Sequence, residues 1–318
     1  MKQKCRYKNK KNRFGEKSLS LTLLSAPTLI WYLVFCYFPL FGIIMAFKRY
    51  RLVPGKGFFY SLIYGSDWVG FDNFRFLFLN PEMGRVVGNT VLYNLVFLVL
   101  ETVIPVVLAI WMSYIHSKIV RTFAQISLLL PYFMSWIIVS YLVYAFLSPD
   151  RGTVNALLEK LGMTGISFYQ RPEFWPFILC LVQVWKSSGY IMMLYYARMV
   201  TIDNELFDAA AVDGASAARV IRHIILPELK SVIVVMTLLN LGHLFSTDFG
   251  LFYQVTRNAG SILSSTETID VFIYKALMEQ SNYGFSAAAS LIQNGIGCMI
   301  LIFANQILKR TGTEGRIL

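Results

Sequence analysis

Six stretches of this chain are apolar nearly all round and long enough to cross a hydrocarbon core: about 21–47, 86–113, 121–147, 173–199, 227–247 and 285–308. A helix needs about 20 residues for that crossing. Helices buried in globular cores are usually shorter and keep a polar stripe toward water. The pattern therefore predicts an all-α integral membrane protein with six transmembrane helices. Polar segments separate the apolar runs. Residues 48–85 form a loop punctuated by Pro54-Gly55, Gly57, Gly65 and Gly70, residue types that favour turns. Residues 148–172 predict a helical turn at 153–161, with Asn155, Leu157, Leu158 and Leu161, and residues 248–284 predict a helix carrying Ile269, Val271, Phe272, Tyr274 and Leu277. Between the fourth and fifth spans, residues 204–212 predict a short helix capped by Asp203 or Thr201 and stopped at Gly214. A second helix, about 215–225, is expected to end at Pro227, which can also open the fifth span.

Composition agrees with lipid as the solvent. The chain is 56% hydrophobic with a mean hydropathy of +0.55, against about 45–50% apolar residues in soluble domains. A net charge of +11 raises nucleic-acid binding, but the basic residues flank the spans instead of clustering on a soluble module. Lys and Arg number 17 on the side of the termini and of the 203–227 loop, against 11 on the other side, spread over longer loops. The positive-inside tendency puts both termini and that loop in the cytoplasm. The basic leader precedes an apolar run too long for a secretory signal, with no small-residue cleavage site, so it is read as the approach to a retained first helix, lying disordered near anionic headgroups. The expected organisation is a basic tail over 1–20, one membrane domain over 21–310 and a cytoplasmic tail over 311–318.

The segment Asp208-Ala209-Ala210-Ala211-Val212-Asp213-Gly214, followed by Ile224-x-Leu226-Pro227, is polar and small between two apolar runs. It resembles the EAA loop of binding-protein-dependent ABC importers: E-A-A, three residues, Gly, nine residues, I-x-L-P. Asp208 takes the Glu position, the one departure. Two softer similarities point to oligosaccharide permeases: Trp68-Val69-Gly70-Phe71-Asp72-Asn73-Phe74, and Thr268-Ile269-Asp270 through Tyr274 with Tyr283-Gly284-Phe285-Ser286-Ala287-Ala288-Ala289. An interfacial aromatic belt explains part of the first string equally well.

That resemblance implies a type I ABC importer permease fold and a coupling helix docking into a separate ATPase. The coupling residues would be Glu205, Leu206, Phe207, Asp208, Ala209, Ala210, Asp213, Gly214, Leu226 and Pro227. It also implies a second permease, an ATPase dimer, an extracytoplasmic binding protein, an oligosaccharide substrate and transport by alternating access. The chain has no G-x-x-x-x-G-K-[ST] phosphate loop, so no cofactor is expected in it; ATP and Mg belong on the partner ATPase. No catalytic residue or metal site is expected, and Cys5, Cys36, Cys180 and Cys298 have neither disulfide nor metal-ligand spacing.

Ionisable residues inside spans mark pathways or pairs. The candidates for the substrate path are Glu101, Lys186, Tyr190, Asn240, His243, Asp248 and Asn294. Glu101 and Lys186 either pair with one another or face the path separately. Interhelical hydrogen bonding accounts for a single Asn or Gln equally well. The alternatives in function are an importer of a polyamine or peptide, a membrane enzyme acting on lipid-linked sugars, and a sensor or channel subunit.

Overall fold

The computed structural model describes residues 11–150 and 152–310. The leader before residue 11 and the tail over 311–318 lie outside the described residues. Helix α1 (Lys11–Tyr32) begins inside the segment expected to be a tail, because Lys, Arg and Glu there are good helix formers.

Among the described residues, five helical spans are long and apolar enough to cross a membrane: Leu21–Phe47, Met83–Ser113, Pro172–Val200, Ala217–Gly242 and Tyr283–Lys309. A sixth is counted if one bent pair of helices is a single span. In the first, α1 widens to a π turn over Leu33–Tyr37 and tightens to a 3-10 helix over Phe38–Phe47. Pro39 explains the change, since it lacks an N–H and its ring clashes with the carbonyl four residues back. The loop after it pairs β1 (Lys48–Arg49) with β2 (Asp67–Trp68) and holds α2 (Phe58–Ile63) and α3 (Asp72–Leu79). Asn73 donates to the carbonyls of Ala46 (2.9 Å) and Lys48 (3.1 Å), and Phe47 stacks on Trp68 and meets Phe74 at a tilt. The 68–74 string is thus a folded clasp on the end of the first span.

The core is built on α4 (Met83–Ser113) and α8 (Trp175–Val200), the most extensively packed pair of helices. It consists of separate apolar clusters. One gathers Tyr93, Phe97, Leu179 and Val182 with Leu251, Phe252 and Val255. Another gathers Val106, Ala109, Met112, Met192, Tyr195 and Leu229. Glu101 on α4 and Gln183 on α8 fall between them.

The run 121–147 is a correction to the expected straight span. It is two helices, α5 (Lys118–Phe133) and α6 (Trp136–Leu147), bent by 101° at the break between them. Met134 is extended, and Ser135 caps α6 by accepting from Ile138 N–H. Pro131 and a capping serine together favour ending one helix and starting another. α5 packs on α8 at Gly189, where any Cβ would overlap the Leu128 carbonyl.

Helix α7 (Thr153–Lys160) falls where the sequence places it; Asn155 is buried and bonds the carbonyls of Ser148 and Ile166. Beyond α8 come α9 (Asn204–Val212) and α10 (Ala217–Val220), which runs through a π turn at Ile221–Ile225 into α11 (Leu226–Gly242). The expected stop at Pro227 is therefore absent: the helix is continuous. The π turn shifts the hydrogen-bond register just ahead of proline, where one N–H is missing anyway. The fifth span also ends earlier than expected, at Gly242.

Residues 243–282 fold back over the bundle end opposite α9, through a π-helical Gly250–Val255, α12 (Leu263–Thr266) and α13 (Ile269–Met278), before α14 (Tyr283–Arg310). Buried polar groups fix this plate. Tyr93 donates to Ser265 O at 2.8 Å, Ser140 to Gln254 O at 2.6 Å, and Ile269 N–H to Thr90 Oγ1 at 2.9 Å. Burial pushes the Tyr169 hydroxyl up to about 12, keeping it a donor to Val255 O.

Candidate functional site

Helix α9 is nine residues long and starts where Asp203 accepts a hydrogen bond from Glu205 N–H at 3.0 Å. It ends with Ala215 N–H bonded to Ala210 O at 2.9 Å and with Gly214 at φ +63°, a conformation that glycine adopts without strain. No residue of α9 is fully buried. Phe207 and Ala210 turn inward, and Phe207 joins the apolar cluster around Ile202 and Ile225. Glu205, Leu206, Asp208, Ala209, Asp213 and Gly214 are exposed, as are Leu226 and Pro227 on the continuous helix. Leu206 and Phe207 thus have opposite tasks, one outward and one as a foot on the bundle.

Sequence reasoning missed the brace behind this knuckle. Arg198 Nη2 meets Glu228 Oε2 at 2.7 Å, while Arg198 Nη1 donates to Thr201 Oγ1 at 3.0 Å. These contacts join the end of α8 to the start of α11, the two points from which the 201–216 loop hangs. Both partners are basic or acidic residues at span ends, a signal that pairing across the loop would have used. A cavity of about 540 Å³ lies under α9 between Tyr114, Arg121, Tyr196 and Phe207.

In the polar layer, the structure brings Glu101, Asn240, His243 and Asp248 to one cavity of about 300 Å³, together with Asn94, Gln183, Ser246 and Thr247. Glu101 Oε1 accepts from Gln183 Nε2 at 2.8 Å. Asp248 Oδ2 accepts from Trp136 Nε1 at 2.7 Å, and its Oδ1 from Gly250 N–H at 2.9 Å.

Glu101 and Lys186 do not pair. Lys186 Nζ instead donates to Tyr132 O at 2.8 Å and Pro131 O at 3.5 Å, and lies 5.0 Å from the Trp136 ring centroid. The break between α5 and α6 leaves the Tyr132 carbonyl for this ammonium, a favourable charge at a helix C-terminus, while Pro131 O also accepts from Met134 N–H at 3.1 Å. Tyr190 stacks on Tyr132 with centroids 4.4 Å apart. Asn294 bonds the carbonyl one turn back in its own helix, Ser290 O, at 2.8 Å. These three sit outside the cavity lining.

Asp270, named in the sequence as part of a motif, is an organising group. It accepts from Thr247 N–H (2.6 Å), Thr247 Oγ1 (3.0 Å) and Gln293 Nε2 (2.9 Å), and so fixes the turn that carries Asp248. Among the described residues, Cys36, Cys180 and Cys298 are free thiols, and no group of His, Cys, Asp and Glu could hold a metal ion.

The family described as "binding-protein-dependent transport system inner membrane component" matches residues 101–310. The chain is 31% identical to the protein LplB of Bacillus subtilis (strain 168) over 295 residues, covering 93% of this chain and 90% of that protein. It is 30% identical, over 93% of this chain and 89% of the relative, to the polygalacturonan/rhamnogalacturonan transport system permease protein YteP of the same organism. Among solved structures it resembles a chain of a bacterial ABC transporter involved in the import of the acidic polysaccharide alginate, with a TM-score of 0.83 and 29% identity over 93% of this chain and 96% of that one. The alginate ABC transporter in complex with its alginate pentasaccharide-bound periplasmic protein matches with a TM-score of 0.85 and 28% identity, over 96% and 100%.

Proposed function

The chain belongs to the binding-protein-dependent transport system inner membrane components, a permease subunit of an ABC importer and not an enzyme, and we propose that it carries an oligosaccharide. In this reading it forms the translocation path with a second permease, takes its solute from an extracytoplasmic binding protein and is driven by a separate ATPase dimer holding ATP and Mg. The sugar class draws on relatives such as YteP and on the alginate importers. Both termini and the 203–227 loop face the cytoplasm.

The observation that carries the coupling role is α9 itself. A short capped helix stands proud of the bundle, rooted by Phe207 and braced by Arg198–Glu228, with Asp208, Ala209 and Gly214 free to enter a groove. Small side chains allow close approach, and the rooted foot passes a push into α8 and α11. Glu101, Asn240, His243 and Asp248 line the path; Lys186, Tyr190 and Asn294 act structurally.

Gly214→Trp tests it. No neighbour lies within 4 Å of a Cβ at this position, so the chain keeps its bundle, while the bulky group and the φ +63° backbone spoil the docking surface. The ATPase then no longer co-purifies and glycan uptake stops. Intact assembly and intact uptake would remove the coupling role.

A further inference from the structure

Hydrogen-bond donors and acceptors around the polar-layer cavity are unequally available. The donors are largely consumed internally. Asn94 Nδ2 serves the carbonyls of Leu244 and Ser246, Gln183 Nε2 serves Glu101, and Trp136 Nε1 serves Asp248. Thr247 and Gln293 serve Asp270. The acceptors remain. Glu101 and Asp248 have no ion-pair partner among the described residues. Gln183 Oε1 is buried and has no hydrogen-bond partner, which a buried carbonyl oxygen seldom tolerates without a visitor or a water. Asn240, His243 and the Ser246 hydroxyl, whose bond to Asp270 Oδ1 is long at 3.5 Å, can serve either way.

Charge follows the same bias. Two carboxyls line the cavity, and Asp270 stands behind them, bonded to Thr247. The facing cations are His243, when protonated, and Lys186. Lys186 lies against the Trp136 ring, spends its hydrogen bonds on Tyr132 and Pro131 carbonyls and offsets part of the charge of Asp248, which leaves Glu101 without a fixed cation facing it.

A visitor must therefore bring donors. Sugar hydroxyls do, and a sugar ammonium does so with a favourable charge. A uronate brings a carboxylate that only accepts and that repels its neighbours. We propose that this cavity takes neutral or amine-bearing sugar units and rejects uronates, with Glu101 and Asp248 as the selecting groups. This rests on the importer reading above and sets the chain apart from the importers of acidic polysaccharide that it resembles in fold.

The test uses the chain in its assembled complex in membrane vesicles, with Cys5, Cys36, Cys180 and Cys298 replaced by Ala and a reporter thiol introduced by Ser246→Cys in the cavity lining. Cationic and anionic methanethiosulfonates of similar size probe the local potential. The cationic reagent is expected to be favoured about tenfold over its preference for a free thiol in solution. Glu101→Gln and Asp248→Asn, singly and together, bring that preference down. Trisaccharides of glucosamine, glucose and galacturonic acid, at equal concentration, are expected to slow labelling in that order. A ratio no greater than that of the free thiol overturns the proposal. So does strongest protection by the galacturonate, or protection by none of the three. If the double variant does not assemble, either single variant gives the same reading. Loss of the importer reading is seen separately: a cell lacking this chain would then take up every glycan unchanged, whatever the reagents report.

Discussion

Lys186→Met removes the ammonium that closes the open end of α5 and leaves its stem in place. In the structure that ammonium makes one short bond to Tyr132 O, a long one to Pro131 O and a cation–π contact with Trp136. A hydrogen bond to a charged group contributes about 1.5–3 kcal/mol, and a partly exposed cation–π contact about 0.5–1 kcal/mol. Lys186 is half-buried, so the lower end applies, and the expected loss is about 2–3 kcal/mol. The Tyr132 carbonyl it leaves sits at a helix end in a membrane-spanning bundle, where water is a poor substitute, while Pro131 O keeps its bond from Met134 N–H. Thermal unfolding of the complex in nanodiscs, followed by loss of the monodisperse species, should show the midpoint fall by several degrees. Lys186→Gln, which keeps a neutral donor, should fall less. A Lys186→Met protein with an unchanged midpoint but a changed apparent affinity for the glycan would refute the reasoning, because it would make the ammonium a substrate contact.

Exchanging the charges at both Glu101 and Lys186 should not restore the uptake that either single reversal removes, since the two groups have different partners; recovery in the double variant would argue for a pair. Gly189→Leu should prevent recovery of folded chain, because its side chain would enter the Leu128 carbonyl, and membrane yield reads this directly. Asn73→Ala removes two bonds to carbonyls at the end of the first span; at about 1 kcal/mol each, the loss should appear as faster proteolysis of the 48–82 loop while the rest of the chain stays intact.

Much of the architecture was legible because lipid imposes long apolar helices, and the helix at 204–212 because Asp203 and Gly214 mark its ends by residue type. The break at Met134-Ser135 was not. Hydropathy is continuous through it, and the bend depends on Pro131, a serine cap and a lysine arriving from another helix. The continuity of α10 with α11 was hidden for the opposite reason: Pro227 reads as a boundary, and a π turn absorbs it. Four of the seven candidate path residues, Glu101, Asn240, His243 and Asp248, share a cavity. The other three were indistinguishable by type, since a polar group in a span looks the same whether it faces a void or a neighbour's backbone. Gln183 escaped notice because its importance comes from standing opposite Glu101, which sequence spacing alone does not reveal.

Two apolar clusters with a hydrogen-bonded layer between them are threaded by the same two rods, α4 and α8. Neither cluster can shear across the other without bending both rods, so a displacement at the Tyr195 end reaches the Leu179 end along the helices and is not lost in the polar layer.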